Sequence, residues 1–147
     1  MINNKIKNFI LFLFILTFSM CDPVDDKLVI RNESSQKIYF LKNEYDKLSK
    51  LYEEVLKKQG VELTYLNCIE IIEPNSENRQ LLTGARKNAW EKYINNVCED
   101  GKLRIYTFNI DTLKKYNFKE IANSNRYVQK REFSVKELQE LNWQIKL

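Results

Sequence analysis

The stretch Glu99-Asp100-Gly101-Lys102-Leu103-Arg104-Ile105-Tyr106-Thr107-Phe108-Asn109-Ile110-Asp111 decides how the rest of the chain is read. Two acids and a glycine make a turn, and Leu103 to Phe108 is rich in β-branched and aromatic side chains and reads as a strand. Asn109 or Asp111 then caps a short helix through Leu113 and Tyr116. A strand joined this tightly to its neighbours lacks the roughly dozen residues that a parallel crossover needs.

Working outward, Trp90, Tyr93, Ile94 and Val97 form one face of a helix before the turn. Upstream of it the polar segment from Glu77 to Arg86 has no clear periodicity. Val61, Leu63 and Tyr65 alternate, and the apolar run through Cys68, Ile69, Ile71 and Ile72 stops at Glu73-Pro74-Asn75-Ser76. Tyr45, Leu48, Leu51, Tyr52, Val55 and Leu56 recur at helical steps between Asn43 and Gly60, which bound an amphipathic helix. Leu28-Val29-Ile30 and Ile38-Tyr39-Phe40-Leu41, separated by Asn32-Glu33-Ser34-Ser35-Gln36, read as a β-hairpin. Downstream, Arg126 to Phe133 reads as a strand, Ser134-Val135-Lys136-Glu137 as a capping box opening a helix with Leu138 and Leu141 inward, and Trp143, Ile145 and Leu147 as a last strand. The expected fold is α+β: a small, mainly antiparallel sheet with three to four short helices packed on it.

Residues 1–20 are an address. Lys5 and Lys7 precede the uncharged run Phe9 to Phe18, shorter than the roughly 20 residues of a membrane span and suited to the apolar region of a signal peptide. That run ends at Cys21, where a thiol can take a diacylglycerol and become the acylated first residue of the processed chain. Ordinary secretory cleavage, with Ser19 and Cys21 as the small residues before Asp22, and an uncleaved anchor are the competing readings. Asp22 to Lys27 completes a polar tether, so the organisation is signal peptide 1–20, lipidated tether 21–27 and a single globular domain 28–147.

Composition narrows the chemistry. The 147 residues contain no histidine, which removes Ser-His-Asp triads, Cys-His couples and His-ligated metals together. Three glycines cannot build a Gly-rich phosphate cradle. Losing residues 1–20 removes Lys5 and Lys7 and no acid, so the formal net charge drops from +4 to +2. Acids and bases alternate without a single-sign stripe, which argues against a nucleic-acid partner and places the Lys and Arg side chains on solvated faces.

With Cys21 acylated, two thiols remain. In an oxidising compartment they are candidates for a Cys68–Cys98 disulfide, and equally for two buried small hydrophobes. No CxxC pair exists to build a metal site, and no cofactor is implied. Asp111-Thr112-Leu113 makes Thr112 a candidate O-glycosylation site, although an N-cap at Asp111 explains the same triplet. Trp90 and Trp143 are in register with the apolar faces of their elements, and eight tyrosines could also stack on sugar rings.

The placement of Cys21, with Met20 and Phe18 where the usual lipobox has a small and an aliphatic residue, resembles bacterial lipoprotein precursors. The C-terminal block Ser134-x-x-x-Leu138-x-x-Leu141-Asn142-Trp143-x-Ile145 is similar to the signature of small uncharacterised envelope lipoproteins of gut Bacteroidetes. The likeness continues in Ala89-Trp90-Glu91-Lys92-Tyr93-Ile94 and Leu103 to Leu113, and covers most of the chain after Cys21. In such proteins Asp-Ser/Thr-aliphatic triplets are O-glycosylated, and acids after the lipidated cysteine, here Asp25 and Asp26, direct export to the outer face of the outer membrane; read from the residues alone, the same two acids equally serve to keep the tether solvated. The resemblance implies an envelope lipoprotein with no catalytic residues to carry over; the chain is expected at the cell outer membrane, held by its N-terminal lipid, with an envelope protein or a glycan as partner. The expected role is thus a non-enzymatic binding or interaction module. The alternative is an envelope hydrolase using two carboxylates alone, for which Glu70 and Asp111 can be nominated. Labelled palmitate should enter the chain and be lost in Cys21→Ser; equal labelling of both would rule out acylation at Cys21.

Overall fold

A computed structural model describes residues 24–60, 62–83 and 88–147, except the side chains of Tyr65 and Leu66. Cys21 and the signal peptide lie outside the described residues. Among the described residues seven strands form two sheets. In the first, β1 (Asp25–Asn32) is central, paired antiparallel with β4 (Ser76–Leu82) and parallel with β7 (Gln144–Lys146). In the second, the order is β3 (Glu70–Ile72), β2 (Ile38–Asn43), β5 (Leu103–Phe108) and β6 (Gln129–Phe133), antiparallel throughout. The helices are α1 (Leu48–Gln59), α2 (Ala89–Asn96), α3 (Ile110–Lys115), α4 (Phe118–Asn123) and α5 (Val135–Glu140), with a single helical turn at Tyr65–Cys68 and a 3-10 turn at Glu99–Gly101. The α+β class, mainly antiparallel, is as expected, but the strands divide between two sheets.

The alternation in β5 explains the layering. Leu103 and Ile105 point to one side and join Leu28, Ile30, Phe40, Ile94, Leu138 and Ile145 in a core between the sheets, closed by α2 and α5. Tyr106 and Phe108 point to the other and join Leu41, Leu48, Leu113, Phe118 and Ile121 beneath α1, α3 and α4. A strand apolar on both faces is therefore the wall between two cores, each stabilised by about 25 cal/mol for every Å² of apolar surface withdrawn from water. Trp90 is 2% exposed in the inter-sheet core, and Trp143 is half-buried against it with the Lys27 ammonium 4.4 Å from its ring.

The expected hairpin does not form, because β1 and β2 lie in different sheets. Asn32 is the reason. Its buried Nδ2 donates to the carbonyls of Gln36 (2.7 Å), Ile72 (3.2 Å) and Glu73 (3.1 Å), and its Oδ1 accepts from Ser34 N (2.9 Å) and Oγ (2.7 Å). One amide thus satisfies the backbone of an arch that carries the chain from one sheet to the other, instead of a two-strand turn. The tether is also shorter than expected, since β1 begins at Asp25. Asp25 accepts from Trp90 N (3.2 Å) at the start of α2, and its carbonyl accepts from Trp90 Nε1 (3.1 Å).

The polar stretch that lacked periodicity contains β4. Its inward side chains from Ser76 to Gln80 are themselves polar: Gln80, 2% exposed, donates to Glu70 (2.9 Å) and Asn78 (2.8 Å) and accepts from Lys42, so the margin between the sheets is sealed by hydrogen bonds. Helix α4 was not anticipated either, although Asn117 and Glu120 form a full capping box at its start. Asn43 does not cap α1, whose N-cap is Lys47 with no side-chain bond, but other expected punctuation holds. Gly60 terminates α1 with φ 65° and donates to Leu56 O, and Ser134 with Glu137 caps α5.

Cys68 and Cys98 are free thiols, which corrects the candidate disulfide. Cys98 belongs to the inter-sheet core and Cys68 packs on the helix-side core, so the wall of β-sheet separates them. Burial pushes both thiols up to about 12, and each behaves as a small hydrophobe.

Replacing Asn32 strips three carbonyls of their donor. Asn32→Ala should cost on the order of 2–3 kcal/mol and lower Tm by roughly 10 °C. Asn32→Asp should do no better, because a carboxylate keeps the acceptor but not the donors. A thermal melt unchanged in either variant would contradict the role of the arch.

Candidate binding cleft

The site grows from one charged residue in the apolar strand β5. The register sets Arg104 opposite Asn43 on β2 and Glu132 on β6, and Tyr106 opposite Leu41 and Lys130. Arg104, Tyr106, Glu132 and Lys130 therefore share the helix-side face of the sheet. The Arg104 side chain is 2% exposed. Its Nη1 donates to three carbonyls, Glu99 (2.9 Å), Lys102 (3.1 Å) and Glu44 (3.3 Å), so the guanidinium holds the β2–α1 connection against the turn before β5. Carboxylates surround the rest of it: Glu132 Oε1 and Asp46 Oδ1 lie 3.5 and 3.6 Å from Nε, and Asp100 Oδ2 lies 3.7 Å from Nη2. Nε itself makes no hydrogen bond.

Neighbouring groups lock the same residues. Lys130 Nζ sits 2.7 Å from Asp46 Oδ1 and 2.6 Å from Glu132 Oε1, and Tyr106 donates its hydroxyl to the Asp46 carbonyl (2.7 Å). The Asp46 N–H donates to Glu99 (2.9 Å), which also holds Lys50 (2.9 Å), while Tyr93 donates to Glu44 (2.9 Å). The hydrogen bond from Lys130 holds the carboxyls of Asp46 and Glu132 below their usual range. Burial works against the Lys130 charge, but its bonds to those two carboxylates keep the ammonium above its ordinary value. Glu99 is lowered by the Asp46 N–H and by Lys50. Burial pushes the Tyr106 phenol up to about 12.

Beside this cluster opens a cleft of about 380 Å³ between the start of α1, the end of α4 and the β5–β6 pair. Asp46, Lys47, Ser49, Tyr106, Ala122, Asn123, Asn125, Tyr127 and Lys130 line it. Tyr127 is half-buried and meets Tyr106 edge-on, ring centroids 5.0 Å apart. Asn125 adopts φ 51° as the chain turns out of α4, a conformation that asparagine tolerates better than most residues. The lining offers amides, a hydroxyl, a partly open aromatic face, the paired charges of Asp46 and Lys130, and the exposed Lys47. Such a surface can exchange hydrogen bonds with a neutral polar ligand.

A second cleft of about 410 Å³, lined by Arg131, Glu132, Phe133, Glu137, Glu140 and Leu141, gathers three carboxylates. Two of them are committed. Glu132 is held by Lys130, and Glu137 is lowered by accepting from the Ser134 N–H and hydroxyl. Asp25, Asp46, Glu99, Glu132 and Glu137 all move downward. A glycosidase-type general acid needs the opposite shift. Among the described residues no three His, Cys, Asp or Glu side chains come together as metal ligands.

Of the residues singled out from sequence, Thr112 sits half-buried inside α3, whose cap is Asn109 and not Asp111. Glu70 bonds across the sheet margin and Asp111 is exposed in the first turn of α3, so neither lines the two clefts. Sequence alone does not reveal the cluster around Arg104, because it places Lys and Arg on solvated faces. Its one sequence signal was an arginine between Leu103 and Ile105 in a strand with no polar alternation. No protein-family model matches the chain, and neither a curated protein nor a solved structure is similar to it.

Asp46, Glu99 and Glu132 have folded-state values below their ordinary ones. Their contribution is therefore present above the carboxylate range and is lost as pH falls through it, between about pH 5 and 2. Tm should decline over that range. In Lys130→Met, which removes the main cause for Asp46 and Glu132, the decline should be shallower; identical slopes for the two proteins would refute the assignment.

Proposed function

We propose that the protein is an exported, lipid-anchored envelope protein that acts by binding, and that its cleft beside Arg104 takes a small, neutral, hydroxyl-rich ligand such as the end of a glycan. The lining of the cleft carries this reading: Asp46 and Lys130 neutralise one another and Lys47 is exposed to solvent, so that Ser49, Asn123, Asn125 and the face of Tyr127 serve as the recognition groups. Asn and Ser side chains supply both donors and acceptors, as vicinal hydroxyls require, and an aromatic face covers the apolar side of a sugar ring. The volume suits one or two rings.

Anchorage is supported by the leader ending at Cys21 and by a first strand that starts only four residues later. Among the described residues no helix is long and apolar enough to cross a membrane. Hydrolysis is disfavoured by the downward shift of Asp46 and Glu132, since a general acid must hold its proton near neutral pH. The outer membrane is the proposed location, with its outer face favoured by the acids that follow Cys21.

A glycan array probed with the processed chain should show retention of at least one neutral saccharide. Asn123→Ala, at the exposed end of α4, should weaken that binding about tenfold for the loss of roughly one good hydrogen bond. Binding to none of the saccharides would refute ligand capture, and undiminished binding by the variant would move the site elsewhere.

A further inference from the structure

We propose that the end of the sandwich carrying Val24, the start of β1 and the close of β4 rests directly on the lipid bilayer; this builds on the lipid-anchored reading and adds which surface faces the membrane. The argument starts from how firmly β1 begins. Asp25 is tied to α2 through Trp90 N and Trp90 Nε1, and Lys27 bridges Asp25 (3.2 Å) and Glu91 (2.5 Å). Strand β1 is therefore held to α2 from its first residue. Cys21 is four residues upstream, and four residues span at most about 14 Å even when fully extended. An acyl chain on Cys21 inserted in the bilayer leaves the domain no room to stand away from the headgroups.

The surface at that end has the chemistry such a position needs. The register places Asp25 opposite Leu82, so the close of β4 lies beside the anchor. Leu81 is 62% exposed there, and Val24 is 49% exposed at the head of β1. Among the described residues the nearby charges have partners: Lys27 as above, and Arg79 with Asp26 at 3.9 Å. Two apolar side chains among paired charges can enter the headgroup boundary without stranding a lone charge. They supplement an acyl chain whose own hold on the bilayer is modest. The opposite end of β1, the arch at Ser34 to Gln36, is polar and about 23 Å further along the strand.

The test uses the full chain in phosphatidylethanolamine–phosphatidylglycerol vesicles with a photo-reactive benzoylphenylalanine at position 81 or position 35. Lipid adducts should form several-fold more at 81 than at 35. Equal yields, a preference for 35, or no adducts at either site would overturn the proposal. Palmitate labelling of the same samples separates the two ideas. Label without the 81 preference leaves the anchor reading standing and defeats the surface. The preference without label defeats acylation but keeps the surface, because an uncleaved Phe9–Phe18 segment, seven residues upstream of Asp25, would also hold this end of the domain at the bilayer.

Discussion

A guanidinium withdrawn from water in the middle of a sheet constrains everything around it. Arg104 must find acceptors in fixed positions, and it finds them in the carbonyls of Glu44, Glu99 and Lys102 and in a ring of carboxylates. Satisfying it fixes the connection between β2 and α1 and the turn between α2 and β5. Those segments in turn set where α1 begins and where the Asp46 carboxylate meets Lys130. A buried charge of this kind is a poor source of net stability, since desolvation offsets most of the Coulomb attraction. Removing one partner is another matter, and costs about 3–5 kcal/mol. Arg104 is better understood as a device that permits one arrangement of these loops and penalises others.

Much of the architecture was legible because local chemistry and burial agree. β5 is apolar on both faces and became the wall between two cores. The periodicity of α1 and the glycine after it placed that helix to within a few residues, and Ser134 with Glu137 marked the start of α5. The failures share a cause. β4 carries Asn78 and Gln80 on its inward side, so a hydrogen-bonded margin hid it from any search for alternating apolar residues. The segment Asn32 to Gln36 has the composition of a hairpin turn, but its direction is decided by Asn32 reaching Ile72 and Glu73, forty residues away in sequence. Local composition cannot express a partner that distant.

The cleft beside Arg104 is harder to read from sequence than the fold. Its residues come from the head of α1, the tail of α4 and β6, and none of them forms a motif with its sequence neighbours. Asp46 and Lys130 look like ordinary surface charges when taken singly. Only the register, which sets Lys130 beside Tyr106 and Glu132 beside Arg104, turns them into a fixed pair. The cysteines show the reverse error: an even thiol count suggests a bond, yet topology places the two sulfurs in separate cores.

The pairing of β1 has a consequence for the order in which the molecule is built. Ile30, near the start of the chain, is flanked by Asn78 on one side and Ile145 on the other, and Leu147 donates to Arg31 O. The earliest strand thus waits for the latest one, and the inter-sheet core stays open until residues 144–147 arrive. Closing so long a loop is slow, because its entropy must be lost before the contacts repay it. A polypeptide that leaves the ribosome amino end first, and passes a narrow translocation pore in the same direction, would stay unfolded throughout its passage by virtue of its own topology. Its sandwich would close only on the far side, after the final strand had crossed.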